Sequence, residues 1–373
     1  MTIYIDVSAA INSRAGLGRY TRSLTQALIR QMDPPPTLFY NRTAQAQRFP
    51  EWAGIPQHSI RLGYKPWRMA VLLGQMMRLS FKPLTPGATL FHATEHLLLP
   101  LHGAPTVLTV HDLIFKLFPQ HHKRLNYWYL NVAMPLYVRR ADAIIAVSQA
   151  TKNDLIRYYG TPDHKITVVH EAAAPHFHIS SPEDVARVRA KYNLPERFLL
   201  SVGTIEPRKN LSRLAESLAR LRRDDPRLHL VVVGAKGWLY EEFFSRIQEL
   251  HLQDVIHFPG YVPDEDLPAF FRAAMLYVMA SVYEGAGLPV LEAMACGVPV
   301  VSSRESSMPE LGADIPHYFN PHDVDHMTNV IGGVLADERL RAEMAAAGPE
   351  RAARFSWERA ARETLAVYRS VLR

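Results

Sequence analysis

The sequence predicts an α/β protein made of two doubly wound, parallel-sheet (Rossmann-like) domains. Three observations carry that prediction. Short runs rich in β-branched and aromatic residues alternate with helix-length amphipathic segments. The runs are continuously apolar more often than alternating, which suits strands covered by helices on both faces. The pattern then restarts after a proline-containing stretch at 171–182.

In the front half, strands are expected at 3–7 (IYIDV), 89–93 (TLFHA), 106–110 (TVLTV) and 143–147 (AIIAV). In the back half they are expected at 198–202 (FLLSV), 229–234 (HLVVVG), 255–258 (VIHF), 275–280 (MLYVMA) and 298–302 (VPVVS). This places one domain at 1–172 and a second at 173–355. The length of 373 residues exceeds what one hydrophobic core usually supports, so two domains are also expected on size. Ser356 reads as the cap of a last helix ending near Leu372, with Glu358 just inside it, and the partner of that helix is not legible from pattern. Ligands of doubly wound sheets bind beyond the carboxyl ends of the strands, and the cleft between the domains is the expected site.

Composition excludes several classes. With 48% hydrophobic and 21% charged residues the chain can bury a core, and disorder is not expected. The charge of +6 is uneven: residues 1–180 carry 19 Lys+Arg against 9 Asp+Glu, and 181–373 carry 23 against 27. A basic half suggests an anionic partner. No nucleic-acid reading motif accompanies it, so nucleic acid is not expected. Cys296 is the only cysteine; it reads as a small buried core residue in a reducing compartment. The N-terminus, MTIYIDVSAA, lacks the pattern of a secretion signal, and no apolar run is long enough to span a bilayer. A cytoplasmic location follows as an expectation. Segment 61–82 carries five basic residues, no acid and an apolar helical core with Trp67 at its edge. It reads either as a helix resting peripherally on an anionic membrane or as an ordinary packed helix with a basic rim.

Three segments carry chemistry. In EGAGLPVLEAMACG, 284–297, a strand ends, a loop of Gly285, Ala286 and Gly287 follows, Pro289 suits the first turn of a helix, and Gly297 suits the position past its end. The amides of Gly287 and Leu288 would then sit at the positive end of the helix, where a diphosphate can be held. Glu284 precedes that helix and Glu292 lies one turn inside it, so the two carboxylates are placed to accept hydrogen bonds from sugar hydroxyls. Singly, Glu292 also reads as a dipole partner and Glu284 as a loop acid. In SVGTIEPRKNL, 201–211, Gly203 follows a strand, Arg208 and Lys209 sit in the next loop, and Asn210 is placed to cap a helix. A guanidinium and an ammonium together suit a departing nucleoside diphosphate. In SRAGLGRYTRSL, 13–24, Gly16 and Gly18 open a helix, although Thr21 replaces the third glycine of a dinucleotide fingerprint.

Together these segments resemble glycosyltransferase family four, the retaining group of the two-domain GT-B fold, along nearly the whole chain. The paired glutamates Glu284 and Glu292, separated by seven residues, match its hallmark, as does AMACGVPVV; Ala286 departs from it, standing where many members carry an aromatic. The resemblance implies that Glu284 and the loop Gly285, Ala286, Gly287 and Leu288 contact donor sugar and diphosphate, Glu292 the ribose, and Arg208 and Lys209 the diphosphate. It implies that His111, which as an isolated histidine reads as structural, touches the donor sugar, and that the helix 356–373 returns to the first domain. It also implies a metal-independent transfer with no cofactor beyond the nucleotide-sugar donor.

Consistent with that, Asp264, Asp266, Asp323 and Asp325 read as helix caps and not metal ligands. His92, Glu95 and His96 read as a loop on the acceptor side and not a zinc site. Similarity to mannosyltransferases makes GDP-mannose the expected donor, with UDP-sugars second, and a glycan or lipid-linked acceptor in cell-surface polysaccharide or glycolipid synthesis. An epimerase, a phosphorylase and a non-catalytic nucleotide-sugar-binding subunit are the competing functions.

Overall fold

The structure, a computed structural model, describes residues 1–12, 15–43 and 46–372. The chain divides into two compact units, Met1–Glu171 with Ser356–Arg373, and Ala172–Phe355.

In the first unit, strands β1 (Ile3–Asp6), β2 (Thr37–Asn41), β3 (Gln57–Ile60), β4 (Leu90–Ala93), β5 (Thr106–Val110), β6 (Ala143–Ala146) and β7 (Ile166–Val168) form one sheet. Their order is β3-β2-β1-β4-β5-β6-β7, and every pairing is parallel. Strands β2, β3 and β7 are additions to the sequence-based expectation. The outer two, QHSI and ITV, are polar or very short, so they lack the continuous apolar run that marks a strand buried on both faces. The inner strands β1, β4, β5 and β6 are buried at every position, as that signal requires.

The helix Trp357–Val371 packs on the helix Ala15–Gln31 and so belongs to this unit. Ser356 caps it, accepting a bond from the Arg359 amide at 3.1 Å. Its Tyr368 hydroxyl lies 2.7 Å from Nδ1 of His92, whose Nε2 lies 2.8 Å from the Thr109 hydroxyl. Both nitrogens of His92 are thus spent inside the core, where burial first and the charge of His111 second lower its pKa to about 3. A neutral, doubly bonded imidazole fastens the last helix to the centre of the sheet.

In the second unit, strands β8 (Phe198–Val202), β9 (His229–Val233), β10 (Ile256–Gly260), β11 (Leu276–Met279), β12 (Val300–Ser303) and β13 (His317–Phe319) run in the order β10-β9-β8-β11-β12-β13, again all parallel. Adjacent residues of one strand feed opposite cores. Leu200 packs with Tyr277 and Val231 on one face, while Leu199 packs with Leu230 and Leu276 on the other. Only β13, HYF, was not expected, and it too is a short, partly exposed edge.

Three expected caps, Asn210, Asp266 and Asp325, prove to be something else. Asn210 precedes the helix Leu211–Leu221 but makes no cap bond, because its backbone is left-handed at φ +56°. Its buried amide donates instead to the carbonyls of Ala280 at 3.1 Å and Pro321 at 2.8 Å, tying together the loops that follow β11 and β13. Asp266 likewise does not cap the helix Leu267–Ala273. Its carboxylate accepts from Arg187, Lys191 and Tyr192, at 2.7, 2.7 and 2.8 Å, all on the helix Pro182–Tyr192. Burial works against that charge, but the three donors outweigh it and hold the pKa at about 2. Asp323 does cap, accepting from the His326 amide at 2.9 Å; Asp325, in the first turn, pairs with Arg220.

Candidate active site

The site in the second unit is built on the carboxyl ends of β8 and β11. After β8 the chain turns through Gly203, whose φ of +147° is open to glycine and strained for any other residue. A short 3₁₀ turn, Pro207–Lys209, then presents the two cations. After β11 the chain passes Ser281 and reaches Glu284. The loop closes at Gly287 (φ +71°), which starts the helix Leu288–Ala295 with Pro289 in its first turn. The Glu284 amide donates to Ser306 Oγ at 2.9 Å, and the Glu284 carbonyl accepts from Ser307 Oγ at 3.1 Å. Two serines after β12 thereby fix the loop's entry.

Lys209 Nζ lies 2.7 Å from Glu284 Oε1, which also accepts from Ser281 Oγ at 2.6 Å. Arg208 forms ion pairs with both Glu284 and Glu206, and Nη1 donates to the Tyr283 carbonyl at 3.0 Å. All four charged side chains are largely buried, so two cations and two carboxylates balance within one cluster. Burial pushes the Glu284 carboxyl up, but Arg208 and Lys209, with the Lys209 and Ser281 bonds, bring it down to about 2. Gly203 borders the same cluster: a Cβ there would sit 2.8 Å from Lys209 Cε and 3.0 Å from its Nζ.

Gly203, Arg208, Lys209 and Glu284 are therefore brought together. Glu292, in the second turn of its helix, is 2% exposed. After burial, its charge and that of Glu284 raise the Tyr277 hydroxyl well above its usual range, so Tyr277 lies within the field of both acids. Glu292 also adds to the effect of burial in pushing up Cys296, which is a buried thiol as expected. Gly285 is buried, and Ala286 and Leu288 are half-buried along the loop.

His111, Gly16 and Gly18 belong to the other unit. His111 follows β5 with Nε2 2.9 Å from the Thr94 carbonyl and Nδ1 3.3 Å from Glu171, both acceptors. Burial disfavours its charged form, yet the bond and charge of Glu171, aided by Thr94, raise its pKa above the ordinary value. Its ring packs edge-on against Tyr20 at 4.6 Å. Gly16 and Gly18 lie in the first turn of the helix Ala15–Gln31; Gly16 is exposed, and Gly18 allows close approach to the Ala9 carbonyl, 3.1 Å from where its Cβ would be. Ser13 and Arg14, which begin that motif, lie outside the described residues.

A family model described as glycosyl transferases group 1 matches residues 184–351, and one described as Glycosyltransferase Family 4 matches 14–174. The O-antigen chain mannosyltransferase B of Escherichia coli is 33% identical over 273 residues, covering 73% of this chain and 72% of its own. The chain belongs to glycosyltransferase family four. The serotype-specific mannosyltransferase WbdA of Escherichia coli is 32% identical over 69% of this chain, which spans about a third of WbdA (33%). Among solved structures, HepE of Anabaena in complex with UDP and glucose superposes with a TM-score of 0.77 at 20% identity, over 99% of this chain and 100% of its own. The two parallel-sheet units are those of the GT-B fold.

The ion cluster of this glycosyltransferase contains two participants that motif reading does not single out: Glu206 and Ser281. Glu206 stands two residues before Arg208 and Ser281 three before Glu284, spacings with no periodicity to signal contact across 75 residues of chain. The cluster also sets a pH dependence. A carboxyl lowered from 4.5 to about 2 contributes stability that is complete above 4.5 and is lost as pH falls toward 2. The linked amount is about 3 kcal/mol by the pKa difference. Glu284→Gln is expected to lose it and to flatten the fall in stability across that acid range; urea unfolding of both proteins at stepped pH measures this. An unchanged pH slope would show that Glu284 is not held ionised.

Proposed function

We propose that this glycosyltransferase moves mannose from GDP-mannose to a glycan or lipid-linked acceptor in cell-surface polysaccharide or glycolipid synthesis, with retention of configuration. The observation that carries the reading is the Arg208–Lys209–Glu284 cluster beside the N-terminus of the helix Leu288–Ala295. The names of the two E. coli relatives, an O-antigen chain mannosyltransferase and a serotype-specific mannosyltransferase, support mannose as the sugar and a polysaccharide as the product.

An ammonium has three protons to donate, and Lys209 spends one on Glu284. Glu284 holds the ammonium in place, so that binding a diphosphate requires little reorganisation. The bond between the anomeric carbon and the diphosphate oxygen breaks, and negative charge builds on that oxygen. Lys209, Arg208 and the amides of Gly287 and Leu288 stabilise it. The acceptor hydroxyl attacks from the face the diphosphate leaves, and its proton passes to the departing phosphate oxygen. Glu284 and Glu292 serve sugar and ribose hydroxyls, while His111, whose two ring nitrogens are already engaged by Thr94 and Glu171, has no N–H left to give the sugar. No metal ion or cofactor is required, since the cations do its work. The enzyme acts in the cytoplasm, in peripheral contact with the inner membrane face through 61–82.

A thermal-shift panel of GDP-, UDP-, ADP- and dTDP-sugars tests the donor. GDP-mannose at a hundredfold excess over its Kd is expected to add about 2.7 kcal/mol, a rise of roughly 5 °C. A larger rise with a UDP-sugar would replace GDP-mannose as donor. Loss of transfer on chelation by EDTA would overturn metal independence.

A further inference from the structure

Two neighbouring helices of the first unit each turn an apolar stripe to solvent. On Tyr64–Met77 the stripe is Met69, Leu73 and Met76, exposed by 46, 49 and 58%. On Arg124–Arg140 it is Leu125, Trp128 and Val132, exposed by 85, 65 and 51%. Each set recurs at helical spacing, so it lies along one face, while Trp67, Val71, Leu130 and Met134 face the core. Arg68 joins the helices, donating to Asn126 at 3.0 Å and lying 3.7 Å over the Tyr129 ring.

Along the chain, the charge beside these stripes is positive, and Asp142 is the one acid in the wall of the adjoining cavity. No Asp or Glu occurs between 52 and 94 or between 113 and 141, and each stretch carries five Lys or Arg. At one end lies a cavity of about 480 Å³ lined by Gln75, Arg78, His102, Thr106, Arg140 and Asp142 among others. Arg140 donates to Gln75 Oε1 at 2.9 Å, and Asp142 accepts from the Thr106 amide and hydroxyl at 2.7 and 3.1 Å. Arg78 sits between exposed Met77 and Leu79, so the cavity's wall continues the apolar face. Thr106 begins β5 and Asp142 precedes β6, which puts the cavity at the amino end of the sheet, opposite His111.

We propose that these two helices form a docking face for an anionic phospholipid bilayer, with the Arg78–Arg140 cavity taking a lipid phosphate headgroup at its edge. It deepens the peripheral contact proposed for 61–82 by adding the second helix and the cavity, and it does not depend on the donor. Aliphatic stripes and tryptophan supply depth, and the excess of positive charge, with Asp142 tied up by Thr106, selects negative lipid. A second copy presenting the same cationic face would be repelled. No described helix is long and apolar enough to cross the membrane, so the contact lies in the interface.

Flotation of the full chain with phosphatidylcholine vesicles, with and without phosphatidylglycerol, tests this. Binding is expected only with phosphatidylglycerol. Leu73→Asp with Trp128→Asp is expected to abolish it, and Arg78→Gln with Arg140→Gln to weaken it about tenfold or more. Each variant should keep the wild-type melting temperature and its rise with nucleotide sugar, which separates failure of this face from failure of the donor reading. Equal binding to both vesicle types, or undiminished binding by either variant, would overturn the proposal. So would a dimer abolished by Leu73→Asp with Trp128→Asp, which assigns the face to a second copy. Stabilisation by soluble glycerol 3-phosphate without vesicle binding would assign the cavity to free phosphate and overturn it too.

Discussion

Lys209→Ala is expected to lower sugar transfer about 100- to 1,000-fold, the usual result of removing one preorganised charge from a developing oxyanion. It is a cleaner probe than Arg208→Ala. Arg208 pairs with two buried carboxylates and the Tyr283 carbonyl, so its removal takes the ion-pair partner from buried Glu206, although Glu284 keeps Lys209 and Ser281, and costs about 3–5 kcal/mol of stability. Lys209 bonds only Glu284 in the cluster, and Glu284 keeps Arg208 and Ser281 when the ammonium is gone. Initial rates of nucleotide release at saturating donor, beside urea unfolding, separate the two effects. A rate within about threefold of wild type, where the developing charge demands far more, would remove Lys209 from the reaction.

Gly203→Ala is expected to reproduce much of that loss without touching a charged group. A methyl at 203 would stand 2.8 Å from Lys209 Cε, so the lysine side chain must swing away from Glu284. The backbone adds its own strain, because φ is +147°, and a non-glycine residue there costs about 1–3 kcal/mol. Gly234 reinforces the constraint: a Cβ on it would collide with the Gly203 carbonyl, so the end of β8 has no room to relax toward β9. The double variant Gly203→Ala with Lys209→Ala distinguishes steric displacement of the lysine from general damage. If the glycine acts through the lysine, the double variant is no slower than Lys209→Ala alone. Additive losses would mean that Gly203 acts by another route.

The contrast between these residues marks how much of the site was legible. Gly203, Arg208, Lys209 and Glu284 announce themselves because cations and acids follow strand ends, where doubly wound sheets place ligands. Their pairing does not. Motif reading leaves Arg208 and Lys209 as uncompensated charges awaiting a diphosphate, whereas the structure shows them already balanced by Glu206 and Glu284. Ion pairs across 75 residues depend on how β8 and β11 lie side by side, and no local spacing encodes that. Asn210 and Asp266 show the same limit. Both stand where a cap belongs, but their burial offered better partners than a helix amide, and tertiary contacts override a local preference worth about 1 kcal/mol.

The sequence allows two readings of His111, as a sugar contact by resemblance and as a structural histidine in isolation. The structure sets both its ring nitrogens against acceptors of its own unit, Thr94 and Glu171. The bond and charge of Glu171, with the Thr94 bond, outweigh burial and move its pKa up, while that of His92, lowered by burial first and the charge of His111 second, moves down. The two residues share a type and a sheet, and only their neighbours separate them.

The sequence by itself determined the alternation of strands and helices, the restart that makes two sheets, and the loop-and-helix grammar around Glu284, because apolar runs, Pro289 and the glycines act over a few residues. Only the tertiary structure decided the edge strands, which carry no apolar signal, the Tyr368–His92 contact that holds the last helix, and the neutral four-charge cluster. Those features rest on contacts between residues far apart in the chain. Their energy comes from burial and charge compensation, which no short window of sequence contains.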